Sequence, residues 1–552
     1  MAQLNRGRRG FMFIEELYIE NYKVFKGGFT LPLQQGVNIV VGDNEAGKST
    51  ILEAVNLVLT GMIGNRYLRN NLNQYLFNNE VVDQFLKDLD LGNRPELPRF
   101  TIELYFASVT DANLEGNLNH KKTKAEGVSI SVEFDEGYRR SYETLIGSGE
   151  KLTTIPMEYY TVVWKGFGRE PVVSRSIPIK SVLIDSTSTR YQNGSDVYIS
   201  RIIQDDLDDL EKVGLSQAYR RLKQGFLNDD SVKSINKKIT AKTEVTKKDL
   251  SVSVDLESQN SWETSLMTFL EDVPFHQIGK GEQCIIKTCL ALEHKKSKEA
   301  NVVLLEEPEN HLSHSKLNQL IKLISEKCES RQLIISTHSS YVSNKLGLEH
   351  LSLLHGGKVS KLLALQKDTY KFFKKLPGYQ TLRVVLCSKA VLVEGDSDEL
   401  VFQRAYMDSH DGKLPIEDGI DVISVGLSFK RFLELAEKLD RNVCVITDND
   451  GDFDNKITKK YKDYMKSECI KIFADNDEAL NTLEPQFVNA NKDNLKSLIK
   501  VLGLKEEKYK DDKSVSDYME KNKTKWALKI FEADDKLMYP KYISDAVAWC
   551  DG

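Results

Sequence analysis

The 552-residue sequence has no run of about 18 apolar residues, so it predicts no membrane-spanning helix. Its start, MAQLNRGRRGFMFIEELYIENY, is basic but lacks the uninterrupted apolar core and small-residue cleavage site of a signal peptide. The seven cysteines are scattered without a CxxC pair. This spacing predicts neither a disulfide framework nor a zinc site. A cytoplasmic location is the default expectation.

The sequence also lacks an excess of positive charge and a sustained heptad repeat. A net charge of −6 gives no overall field that would attract nucleic acid, so any such surface must be a local basic patch. The missing heptads argue against a long coiled-coil arm. The hydrophobic content of 40% and charged content of 29% are ordinary for a globular protein. The length favours roughly two to four domains.

The segment GVNIVVGDNEAGKSTILEAVNLVL carries the clearest motif of the chain. An apolar strand precedes a G-x-x-x-x-G-K-[ST] loop that begins at Gly42, and a helix follows it. In such loops the backbone N–H groups cradle phosphates, the lysine reaches the β- and γ-phosphates, and the hydroxyl holds Mg²⁺. Lys48 and Ser49 are expected in these roles. The expected ATP contacts are Asn44, Gly47, Lys48, Ser49 and Thr50.

A second motif, which is acidic, is expected to complete the ATPase chemistry. In NVVLLEEPENHL, the residues Val302 to Leu305 predict a buried strand. Glu306 at its end is expected to support the Mg²⁺, and Glu307 to polarise the attacking water. Another apolar strand is predicted to end at His338, which is a candidate γ-phosphate contact; a plain polar residue at a strand end is the alternative.

These motifs, with GKGEQ and ISTHSS, resemble the ABC-type ATPase head of RecF, SMC and Rad50 proteins. The resemblance implies a dimer in which the signature of one subunit faces the nucleotide of another. Here Gly279 and Lys280 replace the usual serine–glycine pair, and Lys280 is a candidate phosphate contact across an interface. The expected segments are an N-terminal lobe (1–194), a helical insertion (195–265), a C-terminal lobe (266–360) and a linker helix region (361–385). The insertion is either a dimerisation element or an ordinary packed helical pair.

After residue 386 strands and helices alternate, which predicts a small parallel α/β domain over 386–552. Ligands of such sheets gather beyond the carboxyl ends of the strands. Glu394 and Asp398 follow one strand, and Asp448 and Asp450 follow a later one. Carboxylates this close repel each other unless a cation neutralises them, and Mg²⁺ or Mn²⁺ fits an all-oxygen set. Two such ions could hydrolyse a phosphodiester.

A calcium-binding EF-hand loop starting at Asp448 is excluded by its spacing. That loop needs glycine at its sixth position and glutamate at its twelfth. Phe453 and Lys459 occupy those positions.

VLVEGDSDEL followed by ITDNDGD resembles the Toprim domain, and the combination of head and Toprim domain resembles the OLD (overcoming lysogenisation defect) nucleases and their Gabija-type relatives. The resemblance implies an α/β fold in which an ABC-type P-loop head of mixed sheets and helices precedes a Rossmann-like Toprim domain. It implies that Glu394, Asp448 and Asp450 are catalytic. The implied metal ligands further include Asp398, Asp452 and Glu484. Lys523 matches the family's lysine that stabilises charge on the scissile phosphate, and Lys525 is the alternative.

The expected function is therefore an ATP-binding endonuclease that cuts DNA with two Mg²⁺ or Mn²⁺ ions, a third ion accompanying the nucleotide. The resemblance implies service in anti-phage defence or DNA repair. Expected partners are DNA, further copies in a homodimer or higher homo-oligomer, and a helicase or defence protein, but no membrane. Two alternatives stay open: an ATPase sensor whose Toprim domain cuts RNA such as tRNA, and a RecF-like DNA-binding ATPase without nuclease activity.

Overall fold

A computed structural model gives the fold of the chain. It describes residues 12–64, 66–109, 111–148, 151–185, 191–192, 195–196, 207–240, 267–293, 300–328, 330–362 and 365–552. Among these residues, no helix combines the length and apolar character that a membrane crossing requires. The chain divides into two compact units, Met1–Asn38 with Ser49–Thr337 and Ile39–Lys48 with His338–Gly552.

An antiparallel sheet opens the first unit. Its strand Phe13–Glu20 (FIEELYIE) buries Ile14, Leu17 and Ile19 completely, and a register irregularity between Ile14 and Glu16 interrupts the alternation of its faces. Tyr18 pairs with Thr30 on one side and with Glu103 on the other. The strands in sheet order are Gly28–Pro32, Phe13–Glu20, Phe100–Ala107, Ala125–Phe134 and Glu115–Gly116, and Tyr160–Gly166 also pairs with Ala125–Phe134.

Three parallel strands of the first unit form a second layer. They are almost uniformly apolar, because parallel strands are covered on both faces. These strands are Ser181–Asp185, Val302–Glu306 and Gln332–Ser336, paired in that order. The last one ends two residues before His338, slightly earlier than the sequence predicts. The α-helices of this unit are Lys48–Thr60, Asn79–Asp90, Arg139–Gly147, Asp209–Asn228, Asp230–Thr240, Lys280–Glu293 and His314–Lys327.

The described part of the predicted insertion is mainly helical. Asp209–Asn228 begins with a reciprocal cap in which Asp208 and Glu211 bond each other's backbone N–H groups. The helix Asp230–Thr240 follows it directly and packs against it. Residues 197–206 and 241–265 of the predicted insertion lie outside the described residues. Short strand pairs complete this unit: Met62–Ile63 with Arg66–Tyr67, Tyr191–Gln192 with Ser195–Asp196, and Phe269–Leu270 with Val273–Pro274.

The second unit begins with the strand Val37–Gly42, which pairs in parallel with Leu351–His355. Lys358–Lys361 extends this arrangement as an antiparallel neighbour. The helices Ser340–Leu346, Lys367–Lys375 and Thr381–Leu386 connect it to the C-terminal sheet. The buried carboxylate of Glu434 accepts hydrogen bonds from the Gln366 N–H and, at 2.6 Å, from the Thr369 hydroxyl. These bonds fix the start of Lys367–Lys375.

Four parallel strands form the C-terminal sheet and confirm the predicted parallel α/β arrangement. Their order is Ile420–Ser424, Lys389–Val393, Asn442–Ile446 and Ile470–Phe473. The surrounding helices bury an apolar core that includes Trp526, whose ring lies 5.5 Å from that of Phe487. The helices are Asp396–Ser409, Phe429–Lys438, Leu483–Ala490, Leu495–Val501, Asp512–Lys521, Lys523–Phe531 and Lys541–Asp551.

Candidate functional site

The phosphate loop joins the strand Val37–Gly42 to the helix Lys48–Thr60. A side chain at Gly42 would place its Cβ 2.9 Å from the Leu354 carbonyl oxygen, and Gly47 has a φ of +98°. Both positions therefore require glycine. The Lys48 side chain is only 5% exposed and donates to the carbonyl oxygens of Gly42 (3.1 Å) and Asp43 (2.9 Å). The loop thus holds this ammonium group at a helix N-terminus, where phosphate binds favourably.

The other expected nucleotide contacts differ in exposure. Asn44 and Ser49 are exposed, whereas Gly47 and Thr50 are buried. Lys280 is exposed at the first position of the helix Lys280–Glu293. These placements leave the polar groups of Asn44, Ser49 and Lys280 accessible to a ligand.

Close packing, which the sequence analysis did not identify, explains the glycine at position 281 in the GKGEQ motif. A Cβ at Gly281 would lie 2.4 Å from the carbonyl oxygen of His311. Any side chain there would push the helix away from the segment that follows the acidic motif. Glycine at position 281 is therefore a requirement of close backbone approach.

The acidic motif lies at the end of the strand Val302–Glu306. Glu307 adopts a left-handed conformation with a φ of +39°, and its N–H donates to the Ser336 carbonyl oxygen at 3.0 Å. Asn310 donates to the Glu307 carboxylate at 2.8 Å. Such a backbone position is unusual for glutamate and is found most often where a side chain must be aimed.

Two neighbours of this motif were missed by the sequence analysis. Thr337 donates to the Glu309 carboxylate at 2.6 Å and is fully buried, whereas His338 beside it is exposed. The signal for Glu309 was present in the EEPEN run, but its partner lies 28 residues later in the chain. Only the tertiary pairing of the two strands joins them.

A cluster of carboxylates lies at the carboxyl ends of the C-terminal strands. Glu394 directly follows Lys389–Val393, and Asp398 lies in the first turn of the next helix. Asp448 comes two residues after Asn442–Ile446, and Glu484 begins the helix Leu483–Ala490 and is 2% exposed. The charges of Glu394, Asp398, Glu484 and Asp450 all act on Asp448. The structure therefore brings five of the predicted metal ligands together.

The proximity of these acids changes their protonation. Burial, followed by the charges of Asp398 and Glu394, raises the pKa of Asp448 to about 8. Burial and the charge of Glu394 raise the pKa of Asp398 to about 7. Such shifts occur where carboxylates are crowded and poorly solvated, and they are common in functional sites.

A divalent cation fits this cluster. The Oδ1 atom of Asp448 is buried and has no hydrogen-bond partner, which is costly for a carboxylate oxygen. A hard cation would satisfy this oxygen and relieve the repulsion between the acids. Within the described residues, however, no group of three or more acidic, histidine or cysteine side chains is already positioned to hold a metal ion, so these carboxylates would have to move closer together to bind one. The Asp450 carboxylate is paired with Lys456 at 2.9 Å and must exchange this partner to bind a cation.

The turn that carries Asp448 and Asp450 is fixed by the residue between them. Asn449 is fully buried, and its amide donates to the carbonyl oxygens of Asp475 (3.0 Å), Asp477 (2.9 Å) and Leu480 (3.3 Å). Its own oxygen accepts from the Gly451 N–H at 2.8 Å. All of its hydrogen-bonding capacity is therefore used to hold the turn.

The remaining predicted residues have other surroundings. Asp452 accepts hydrogen bonds from the Asn455 N–H (3.1 Å) and side-chain amide (2.7 Å), so it caps the following turn. Asp454 pairs with Lys459 at 2.6 Å. Lys523 and Lys525 are exposed in the first turn of the helix Lys523–Phe531. Within the described residues, no hydrogen bond or ion pair joins these two lysines to the carboxylate cluster.

A family model described as AAA domain matches residues 16–335, which is more than half of the chain. The chain belongs to the AAA domain family. A second model, described as the TOPRIM domain of proteins like the overcoming lysogenization defect protein, matches residues 386–450. Together they confirm the predicted succession of an ATPase head and a Toprim domain. The Toprim match spans Glu394, Asp398, Asp448 and Asp450, but ends before Glu484 and Lys523.

Several solved structures are similar to about two thirds of the chain. The Pyrococcus furiosus Smc head domain bound to the ScpA C-terminal domain is 14% identical and covers 66% of this chain and 99% of that one, with a TM-score of 0.34. The SMC head domain from Thermotoga maritima is 14% identical, with coverages of 64% and 99% and a TM-score of 0.29. The recombination mediator protein RecF-ATPrS is 14% identical, with coverages of 64% and 98% and a TM-score of 0.32. A search of curated proteins finds no match.

Proposed function

We propose that this protein is an ATP-regulated, metal-dependent endonuclease whose Toprim domain cleaves DNA. The observation that carries the proposal is the Asp448 carboxylate, which lies among four other acids with one buried oxygen that has no partner. Buried side-chain oxygens usually have a hydrogen-bond or ion-pair partner, so an unpaired one among four other acids is a candidate cation ligand. A nuclease instead keeps such oxygens available for divalent ions.

The carboxylates have distinct parts in this proposal. Glu394, Asp398, Asp448 and Asp450 hold the ions, and Glu484 assists from its buried position behind them. Asp452 contributes by fixing the turn after Asp450 or as an auxiliary ligand. When bound, two Mg²⁺ or Mn²⁺ ions supply an activated water and stabilise the leaving oxygen of the phosphodiester. Lys523, or alternatively Lys525, is proposed to stabilise charge on the scissile phosphate.

The AAA domain is proposed to bind ATP and Mg²⁺ and to control cleavage. Lys48 contacts the β- and γ-phosphates while Ser49 and Glu306 hold the ion. Glu307, aimed by its left-handed backbone and by Asn310, polarises the attacking water, and His338 contacts the γ-phosphate. Lys280 reaches the nucleotide of a second copy in a homodimer or higher homo-oligomer.

A biological role in defence against phage or in DNA repair is supported by the OLD-like Toprim match. A partner helicase or defence protein belongs to the same proposal. A test of the role compares phage plaque counts on cells that express the wild-type protein or the Glu394→Ala variant. Equal plaque counts on both, with both proteins expressed, contradict a role in defence.

The activity is tested by incubating the protein with supercoiled plasmid and with tRNA, in Mg²⁺, Mn²⁺ or EDTA, with and without ATP. We expect nicked or linear plasmid with either ion, none in EDTA, and none from Glu394→Ala. Cleavage of tRNA but not plasmid would show that the substrate is RNA instead of DNA. Intact plasmid and intact tRNA under every condition would refute nuclease function.

A further inference from the structure

Lysine side chains border the carboxylate cluster on the segment that follows Asp450. Residues Asp454–Lys459 form a wide helical turn of the π type, and Lys460 ends it. With about 4.4 residues per turn in this geometry, Lys456 and Lys460 lie on the same face.

Lys456 contacts one of the acids directly, and Lys460 lies near enough to be influenced by their charges. The Lys456 ammonium group lies 2.9 Å from Asp450 Oδ2, and this side chain is 49% exposed. The charges of Glu394 and Asp450 act on Lys460, and the positive charges of Lys456 and Lys430 act on it as well. A cationic rim thus lies next to the acidic cluster in the same compact unit.

Lys460 is held in place by aromatic rings. Its ammonium group lies 4.9 Å from the ring centre of Tyr461 and 5.8 Å from that of Phe429. Both rings belong to buried residues, so they fix the lysine stem against the domain. By contrast, the neighbouring Lys459 is paired with Asp454 at 2.6 Å, and Lys462 is exposed.

An acidic site that cuts nucleic acid has an electrostatic difficulty. Five carboxylates repel a phosphodiester backbone, and bound ions neutralise this charge without extending attraction to the neighbouring phosphates. Lysines placed beside the acids supply that attraction. The Lys456–Asp450 pair is no obstacle, because exposed ion pairs of this kind contribute little to stability.

We propose that Lys456 and Lys460 contact the phosphate backbone of the substrate strand beside the carboxylate cluster. The inference rests on the proposed nuclease function and assigns it a backbone-positioning surface. Each lysine neutralises one phosphate and places the strand against the metal-binding acids. Neither lysine was singled out by the sequence analysis, which selected Lys523.

The test measures binding of a fluorescent DNA duplex by anisotropy over a series of salt concentrations, in Ca²⁺ to neutralise the acids, with gel electrophoresis to check that the DNA stays intact. The double variant Lys456→Gln/Lys460→Gln is compared with the control Lys459→Gln/Lys462→Gln, which removes the same charge from the same segment. The slope of log affinity against log salt concentration is negative, and each lost phosphate contact reduces its magnitude by about 0.9. We expect a decrease of about 1–2 for the first variant and wild-type behaviour for the control.

A second comparison distinguishes the loss of positive charge from a loss of folded structure. Lys456→Arg/Lys460→Arg should restore the slope, and thermal melting should show that all variants are folded. In Mg²⁺, the glutamine variant should raise the KM for plasmid more than it lowers kcat. An unchanged slope in the glutamine variant, while the wild type binds and cuts DNA, overturns the inference and leaves the nuclease proposal intact.

The outcomes for inference and function can be told apart. The wild type could bind duplex without cutting any nucleic acid, while only the glutamine variant shows a weaker salt dependence of binding. That result would support the backbone contact and refute the nuclease proposal. If the wild type does not bind duplex at all, the inference is overturned.

Discussion

Asn449 has a structural role that its position between two aspartates does not reveal. It connects the turn that carries Asp448 and Asp450 to three carbonyl groups of the loop at residues 475–480. Asp450 itself has a φ of +49°, and its N–H donates to the Asn481 carbonyl oxygen at 3.1 Å. The directions of both aspartates therefore depend on a residue that binds no metal.

The Asn449→Ala variant tests this dependence. Removing the amide leaves buried carbonyl oxygens without donors, which should destabilise the protein by about 1–3 kcal/mol. Mn²⁺ binding, followed by calorimetry on protein that is still folded, should weaken as well because Asp448 and Asp450 lose their fixed turn. Wild-type stability together with wild-type Mn²⁺ affinity would show that the turn does not need this clamp.

In the absence of metal, ionisation of Asp448 is unfavourable in the carboxylate cluster. Its raised pKa, caused by burial and then by the neighbouring acids, means that its charged form is disfavoured in the folded protein. Asp448→Asn should therefore raise the stability of the metal-free protein, on the order of 1 kcal/mol. Mn²⁺ should raise the Tm of the wild type and leave that of the variant nearly unchanged.

The control for this comparison is Asp454→Asn, because Asp454 lies on the same segment but pairs with Lys459. It should respond to Mn²⁺ like the wild type. An equal Mn²⁺ shift in Asp448→Asn and the wild type would contradict a metal site at Asp448.

At the level of single residues, sequence reasoning located the acids but not their partners. Glu394, Asp398 and Asp448 could be predicted because apolar runs mark parallel strands, and polar residues after them must lie at one sheet edge. The Asp450–Lys456 pair and the cap made by Asp452 could not be predicted. These depend on the course of a turn whose side-chain directions follow from tertiary contacts with the segment 475–481.

The helices Asp396–Ser409 and Lys541–Asp551 are joined by a histidine at the end of the first. His410 Nε2 lies 2.7 Å from Asp551 Oδ1, and its ring is stacked on Tyr406 with centres 3.8 Å apart. Burial alone would lower the pKa of His410, but hydrogen bonds to Asp551 and to the Tyr406 carbonyl, and the charge of Asp418, raise it. The helix C-terminus also favours the cation.

This pair gives the protein a pH-dependent contribution to stability. Because the folded-state pKa lies above the ordinary value of 6.5, the contribution is fully present below that value and is lost as pH rises through the folded-state pKa. His410→Gln should cost about 0.5–1 kcal/mol in acid and less in alkali. Urea unfolding at about pH 5.5 and about pH 8.5 measures this. A cost that does not fall between the two conditions would contradict the assignment.

At the level of elements, the order of strands and helices could be predicted well wherever apolar runs were uninterrupted. The strands Lys389–Val393 and Asn442–Ile446 are almost fully buried, and their sequences are correspondingly apolar. The π-type turn Asp454–Lys459 has no such sequence signal. It lies between the D-x-D turn and the buried Tyr461, and it buries its own Ile457.

For the whole molecule, the proposal is that an ATPase head regulates a separate nuclease centre. Lys48→Ala removes the ammonium group that the phosphate loop holds against Gly42 and Asp43. ATP hydrolysis should fall by at least about 100-fold. Nicking measured without ATP should remain, while any effect of ATP on nicking should disappear.

The control is Lys26→Ala, which removes an exposed lysine paired with Glu80 on the surface of the head. It should keep wild-type ATP hydrolysis and a wild-type response of nicking to ATP. Unchanged ATP hydrolysis in Lys48→Ala would show that the loop does not bind nucleotide as proposed.

The central claim is that the carboxylate cluster is the nuclease centre. The most direct measurement is the initial rate of plasmid nicking in Mn²⁺ by the wild type, Asp448→Asn and Asp454→Asn. The account predicts equal rates for the wild type and Asp454→Asn, and a loss of about 100-fold or more for Asp448→Asn. Nicking by Asp448→Asn at the wild-type rate would contradict the account.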